Sequence, residues 1–289
     1  MPTLDIPRYA VLGNPIAHSR SPEIHQAFAK QFGRRIDYSR RLVPMQGFAA
    51  VIAEMRGEHF AGANVTVPFK EDAISVAARV SERARHAGAA NTLTFREDGT
   101  IDADNTDGAG LIKDLTINLG RALEGASILL VGAGGAARGV VLPLAASRPA
   151  RLIVCNRSPE KAAALVALLR ERGGPGIDRI ECAVRPLDSN SLRELGEFDL
   201  VINSTSASLG GDALDLPVSC FSKRTLAYDM VYGNGITPFL GAARAAGAAV
   251  ADGLGMLVEQ AAESFSVWHA LRPDTAPVIT TLRASLPPL

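Results

Sequence analysis

The chain has 289 residues with 30 basic and 30 acidic side chains, so its formal net charge is zero. Hydrophobic residues make up 47% and charged residues 21%, the balance of a globular protein with room for two ordinary domains rather than of a disordered chain. No block of like charge offers a footprint for nucleic acid or an acidic membrane surface, and no apolar run is long enough to span a bilayer.

The start, Met1-Pro2-Thr3-Leu4-Asp5, lacks the basic and then apolar pattern of a signal peptide. Cys155, Cys182 and Cys220 are odd in number and far apart, which suits a reducing cytoplasm better than a disulfide framework. His18 and His25 lie seven apart with no partnering pattern, so no metal site is expected.

Tyr9–Gly13 reads as a short buried strand running into the loop Asn14–Pro22. Pro22 restricts Ser21 to extended geometry, and residues two apart in extended chain face the same way. Ser19 and Ser21 then present two hydroxyl donors side by side, which suits a carboxylate. Ser21 also reads as the cap of a helix over 22–33 with Pro22 at its first position. A strand over 38–43 and a helix over 45–55 follow.

Asn64-Val65-Thr66-Val67-Pro68-Phe69-Lys70 alternates polar and apolar residues, the pattern of a half-buried strand that Pro68 ends. Lys70 is released at its tip, where it either meets a small molecule or opens the helix expected over 71–80. Asn91 lies in the stretch 89–95 and stands either near Lys70 or in an ordinary turn. Asp98-Gly99 predicts a hairpin turn, and Asp107 caps the helix expected over 109–119 or projects a carboxylate from the domain junction.

Strands alternating with helices predict a mainly parallel sheet covered on both faces, with ligands bound outside the carboxyl ends of the strands. The same logic governs the second half. Ser127–Val131 reads as a buried strand, and Gly132-Ala133-Gly134-Gly135-Ala136-Ala137 directly after it fits G-x-G-x-x-A opening a helix, the dinucleotide fingerprint in its required context. The second strand, Arg151–Cys155, leads into Asn156-Arg157-Ser158-Pro159-Glu160-Lys161. An acidic residue here would bind a ribose 2′-hydroxyl, whereas Arg157, with Lys161 one turn on, matches a 2′-phosphate and so NADP. Ser158 reads as the cap of a helix over 159–172. Further strands are expected near 180–184 and over 199–203, 225–232 and 248–250, with Thr205 among small hydroxyl residues that line a cofactor. Gly253–Gly255 reads as a hinge returning the chain to the first domain.

Taken together, these segments resemble the shikimate dehydrogenase family over essentially the whole chain. The matching stretches are Gly13–Pro22, Asn64–Lys70, Asn91-Thr92, Asn105–Gly108, the glycine loop, Asn156–Ser158, Tyr228–Tyr232 and Asp252–Leu257. The resemblance implies an α/β fold of two domains. An αβα substrate domain spans 1–107 plus 254–289, and a Rossmann-type NADP domain spans 108–253, with the C-terminal helices returning to the first. It implies NADPH-dependent, reversible reduction of 3-dehydroshikimate to shikimate on the route to aromatic amino acids.

By position, the resemblance makes Lys70 and Asp107 a catalytic pair, leaving open which of them makes the decisive proton transfer. Ser19 and Ser21 would hold the substrate carboxylate, and Thr66, Asn91, Asp107, Tyr232 and Gln260 the ring hydroxyls. Gly132 to Ala136, Asn156, Arg157, Ser158, Lys161, Met230 and Gly253 correspond to NADP contacts, and Glu82 to one assigned in some members. The quinate/shikimate branch, which tends to use NAD, carries an acidic residue near the end of the second Rossmann strand, where this chain has Asn156-Arg157. That branch and a non-catalytic NADP-binding sensor are the alternatives, and a homodimer is left open.

Overall fold

The structure is a computed structural model that describes residues 6–289. Met1–Asp5, on which the expectation of no targeting signal rests, lie outside the described residues. The chain forms two compact units, one of Met1–Gly110 and Val258–Val278, the other of Leu111–Leu257 and Ile279–Leu289. These joins fall a few residues beyond 107/108 and 253/254 because the helices Asp107–Lys113 and Leu254–His269 run through them. Residues 279–289, expected with the first unit, pack with the second, where Arg283 pairs with the buried Asp252.

The first unit is built on a six-stranded sheet. Its strands are β1 (Arg8–Gly13), β2 (Asp37–Leu42), β3 (Phe60–Val65), β4 (Arg79–Val80), β5 (Thr92–Phe95) and β6 (Ile101–Asp104), in the order β2-β1-β3-β5-β6-β4. All pairings are parallel except those of β5, which runs against β3 and β6. The Asp98-Gly99 turn causes the exception: a tight hairpin joins only antiparallel strands, and Thr100 donates its N–H to Asp98 Oδ1 within it. Alternation along β1 sends Ala10 and Leu12 to one face, under Phe48, Val51, Ile52 and Met55 of the helix Phe48–Gly57. Tyr9 and Val11 face the other way with Tyr38 and Trp268. Both faces are therefore covered.

Four local expectations change. β3 ends at Val65, and its phase differs from simple alternation: Asn64 is 5% exposed while Val67 is 60% exposed. Asn64 can be buried because its amide is fully hydrogen-bonded, to Tyr38, Asn91 and Thr92. The helix expected over 71–80 is one turn, Asp72–Ser75, before β4. The helix expected from 22 begins at Ser21 after an Arg20 N-cap that makes no side-chain cap bond, so Ser21 is a helical residue, neither the cap nor in the extended geometry expected before Pro22. The helix expected over 109–119 ends at Lys113 and continues as a π-helical turn, Asp114–Asn118.

The second unit carries β7 (Ser127–Val131), β8 (Arg151–Asn156), β9 (Glu181–Pro186), β10 (Leu200–Asn203), β11 (Leu226–Asp229) and β12 (Ala249–Asp252). Their order is β12-β11-β10-β7-β8-β9, all parallel. The chain moves outward from β7 in one direction and then from β10 in the other, so the strand order reverses between those two, the doubly wound arrangement. Ile128, Leu130, Leu152 and Val154 pack on one face, and Leu129, Val131, Ile153 and Cys155 on the other.

His25 lies in an aromatic cluster of the first unit, stacked on Tyr38 with ring centroids 4.5 Å apart and beside Phe28, Phe265 and Trp268. Neither ring nitrogen makes a hydrogen bond of ordinary geometry, because the neighbouring Asn64 amide is already engaged. Burial, reinforced by nearby His269, lowers its pKa from 6.5 to about 3. The unfolded chain therefore takes up this proton before the folded one does. The stability that neutral His25 contributes is complete above pH 6.5 and is lost as pH falls through about 3. Denaturant titrations of wild type between pH 7 and pH 4 should show an extra loss of about 3 kcal/mol relative to His25→Phe. Equal pH slopes for the two proteins would refute the assignment.

Candidate active site

Because β5 runs antiparallel, its beginning lies beside the carboxyl ends of β3 and β6: Asn64 pairs with Thr92, and Thr92 with Asp104. The loops after β1, β3 and β6 and the residues before β5 therefore share one sheet edge. Ser19 and Ser21, Thr66 to Lys70, Asp107 and Asn91 all come from those segments.

Lys70 is held by its neighbours on both sides. Phe69 is buried against Phe48, with ring centroids 5.5 Å apart, and the Lys70 carbonyl accepts from Ala90 N–H over 2.8 Å. Thr66 N–H donates to the Leu12 carbonyl and Asn14 N–H to the Val67 carbonyl, which ties this loop to the end of β1. Fixed so, Lys70 Nζ donates to Asp107 Oδ2 over 2.6 Å, with side-chain exposures of 21% and 7%. Asp107 opens its helix, where a carboxylate meets the positive end of the helix dipole, and Asn105 Oδ1 accepts its N–H.

Asn91 completes the pair's setting. Its Nδ2 has two N–H donors and three acceptors in reach, Asp107 Oδ1 and Thr106 Oγ1 at 2.9 Å and Gln260 Oε1 at 3.1 Å. Its Oδ1 accepts from Thr106 N–H over 2.9 Å. Ser19 Oγ donates to Ser21 Oγ over 3.2 Å, so the two hydroxyls do lie side by side, and Arg40 pins the loop by donating to the Ser19 carbonyl. Thr66 is half-buried at the same edge. Glu82 stands apart from this group as an exposed first-turn acid, 3.8 Å from His86 on its own helix.

Thr106, Thr92 and Tyr38 were not singled out from sequence, yet they bond directly to Asn91 or to its neighbour Asn64. The available signal was a run of amides and hydroxyls at positions that buried strands normally fill with apolar residues.

In the second unit the glycine loop follows β7, next to the reversal of strand order. Gly132 has φ +110°, and a Cβ there would lie 2.6 Å from Ser204 Oγ and 3.0 Å from Thr205 Cγ2. Only glycine fits that turn, and Thr205 is thereby brought against it. Around Gly134 and Gly135 the space is open: a Cβ built at either meets nothing within 4 Å. Gly134 precedes the helix Gly135–Ala146 with no side-chain cap, leaving the first-turn N–H groups free of side-chain acceptors. Ala133 is buried and Ala136 half-buried in the same loop.

At the end of β8, Asn156 Nδ2 donates to the Ser158 carbonyl, while Arg157 and Lys161 are exposed. Ser158 does occupy the N-cap of the helix Pro159–Arg172, but its hydroxyl makes no cap bond. Among the described residues no carboxylate pairs with Arg157. Bare backbone, a free helix N-terminus and unpaired guanidinium and ammonium groups fit a phosphorylated dinucleotide. Met230 and Gly253 meet directly, since a Cβ at Gly253 would sit 2.3 Å from the Met230 carbonyl oxygen. Tyr232 is half-buried in the loop after β11.

Comparison with known proteins finds relatives over nearly the whole chain. Residues 11–93 match the shikimate dehydrogenase substrate binding domain, 114–210 shikimate / quinate 5-dehydrogenase, and 253–283 the shikimate 5′-dehydrogenase C-terminal domain. The NADP(+) shikimate dehydrogenase of Dechloromonas aromatica (strain RCB) is 54% identical over 282 residues, covering 96% of this chain and 98% of that protein. Among solved structures, an Ael1 enzyme from Pseudomonas putida aligns with a TM-score of 0.86 and 43% identity over 96% of this chain and 98% of its own. A shikimate 5-dehydrogenase from Thermus thermophilus, in complex with NADP(H) and shikimate, aligns with a TM-score of 0.83 and 32% identity over 97% of this chain and 100% of its own.

Proposed function

The chain belongs to the shikimate dehydrogenase family, and we propose that it interconverts 3-dehydroshikimate and shikimate with NADP, a step in aromatic amino-acid biosynthesis. The observation that carries this reading to the chemistry is the Lys70–Asp107 pair, with Asn91 on the second carboxylate oxygen.

When bound, NADPH supplies the hydride that the C3 carbonyl carbon receives. The chain's own residues handle the oxygen. An ammonium has three N–H donors, and Lys70 commits one to Asp107, so two remain for the carbonyl oxygen. Lys70 stabilises the charge developing there and gives it a proton, and takes that proton back in the oxidation of shikimate. Asp107, engaged on both oxygens, holds the ammonium in place and accepts a ring hydroxyl on its remaining lone pairs. Ser19 and Ser21 take the substrate carboxylate. Thr66, Asn91, Gln260 and Tyr232 take ring hydroxyls.

Gly132 to Ala136 hold the cofactor's pyrophosphate, Arg157, Lys161, Asn156 and Ser158 its 2′-phosphate side, and Thr205, Met230 and Gly253 line the remainder. Glu82 belongs to this set by resemblance alone. The working compartment in this reading is the reducing cytoplasm, and size-exclusion chromatography distinguishes a monomer from a homodimer.

The test is the rate of NADP reduction with shikimate, measured beside NAD and quinate. Turnover of shikimate with NADP is expected to dominate. Preference for NAD with quinate would favour the other branch, and no turnover with any pair would favour a non-catalytic binding protein. Lys70→Ala should lower kcat by about a hundredfold or more while the shikimate KM moves little, as expected when an acid–base group is lost. Intact turnover with weakened binding would remove Lys70 from the proton transfer. Arg157→Ala should raise the KM for NADP by about tenfold and leave that for NAD unchanged, as expected when a charge-assisted phosphate contact is lost. Equal effects on both cofactors would contradict the 2′-phosphate assignment.

A further inference from the structure

The hydrogen bonds that hold Asn91 continue away from the site. Thr92 Oγ1 donates to Asn91 Oδ1 over 2.9 Å. Asn64 Nδ2 donates to Thr92 Oγ1 over 3.2 Å and to the Asn91 carbonyl over 3.1 Å. Tyr38 Oη donates to Asn64 Oδ1 over 2.7 Å. All four side chains are buried.

Two backbone groups fix the direction of the series. Thr106 N–H can only donate, so the Asn91 atom it meets is the amide oxygen, and the amide nitrogen must face Asp107. The Asn91 carbonyl can only accept, so Asn64 turns its nitrogen to that carbonyl and its oxygen to Tyr38. Thr92 accepts from Asn64 and so gives its single proton to Asn91. The Tyr38 proton has one destination, Asn64.

The far end is equally constrained. His25 stacks on the Tyr38 ring at 4.5 Å, and Tyr9 lies 6.5 Å away on centroids. Burial pushes the phenol well above its ordinary pKa, so it stays a donor throughout the working range. Ser21 stands close enough to oppose that shift in part, so the series starts near the Ser19–Ser21 hydroxyl pair.

We propose that Tyr38 and Thr92 are positioning residues of this reaction: with Asn64 they lock the Asn91 amide in the one orientation that places N–H on the Asp107 carboxylate and so aims Lys70. A flipped Asn91 would set oxygen against oxygen at Asp107 and abandon the Thr106 N–H. The proposal rests on the Lys70–Asp107 reading of the site.

Tyr38→Phe and Thr92→Val each remove a hydroxyl while nearly preserving shape. Each should lower kcat for shikimate oxidation by about tenfold, with a smaller change in shikimate KM, measured well below the melting temperature. Because the groups act in series, the double variant should fall little further than either single one. Thr92→Ser, which restores the hydroxyl, should recover most of the rate. Unchanged kcat in Tyr38→Phe with only a lowered melting temperature would reduce the series to a structural role and overturn the proposal. So would losses that multiply in the double variant.

Wild-type turnover is the control for the function itself. If it is absent, the functional reading fails separately, and the lock is judged by the side-chain amide resonances of Asn91. These should shift in Tyr38→Phe; resonances that stay in place would refute the lock.

Discussion

Asn91 meets two demands at once. Its backbone belongs to the sheet edge, accepting from Val65 N–H and donating to the Asp104 carbonyl, while its side chain bonds to Asp107, Thr106 and Gln260. Neither can move without the other. A buried amide left half-satisfied costs about 1–3 kcal/mol per orphaned group, so the ladder that builds the sheet also holds the side chain that faces the Lys70–Asp107 pair. Sheet ladder and buried ion pair are therefore joined at one residue of the first unit.

That joint depends on the reversal of β5. In a wholly parallel sheet the residues preceding a strand lie at the opposite edge from those that follow its neighbours. The hairpin at Asp98-Gly99 turns β5 round and delivers Asn91 to the edge where the loops after β3 and β6 carry Lys70 and Asp107. The second unit keeps all six strands parallel and uses its corresponding edge differently, for a loop of glycines whose openness lies in backbone rather than side chains.

Local punctuation was largely legible in the sequence. The turn at Asp98-Gly99, the helix Pro159–Arg172 and the strand before Gly132 all follow from residue types acting within a few positions, whereas Ser19 and Ser21 are adjacent with Ser21 helical rather than extended. What misled was polarity read as exposure. Asn64 looked like the outward phase of an alternating strand, and Tyr38 like an ordinary strand residue, because period-two reasoning assigns polar residues to water. Their burial depends on partners 26 to 28 residues distant, Asn64 bonding to Tyr38 and Thr92. No local pattern announces such a pairing. Ser158 shows the converse: its position at the helix start was legible, but not that its hydroxyl would make no cap bond.

The Lys70–Asp107 pair is a poor choice if stability alone is considered. An ion pair with one partner 7% and the other 21% exposed sacrifices hydration, and apolar residues of like volume would often serve the fold as well. The surrounding hydrogen bonds offset that sacrifice only for one arrangement: carboxylate between ammonium and amide, and amide oxygen on a backbone N–H. Such a network narrows the geometry more than it deepens the energy well. For the proton transfer proposed for Lys70, restricted geometry is the useful property, since a misplaced donor forfeits much of the rate. The first unit thus gives up some stability at its sheet edge to hold an ammonium in a single direction.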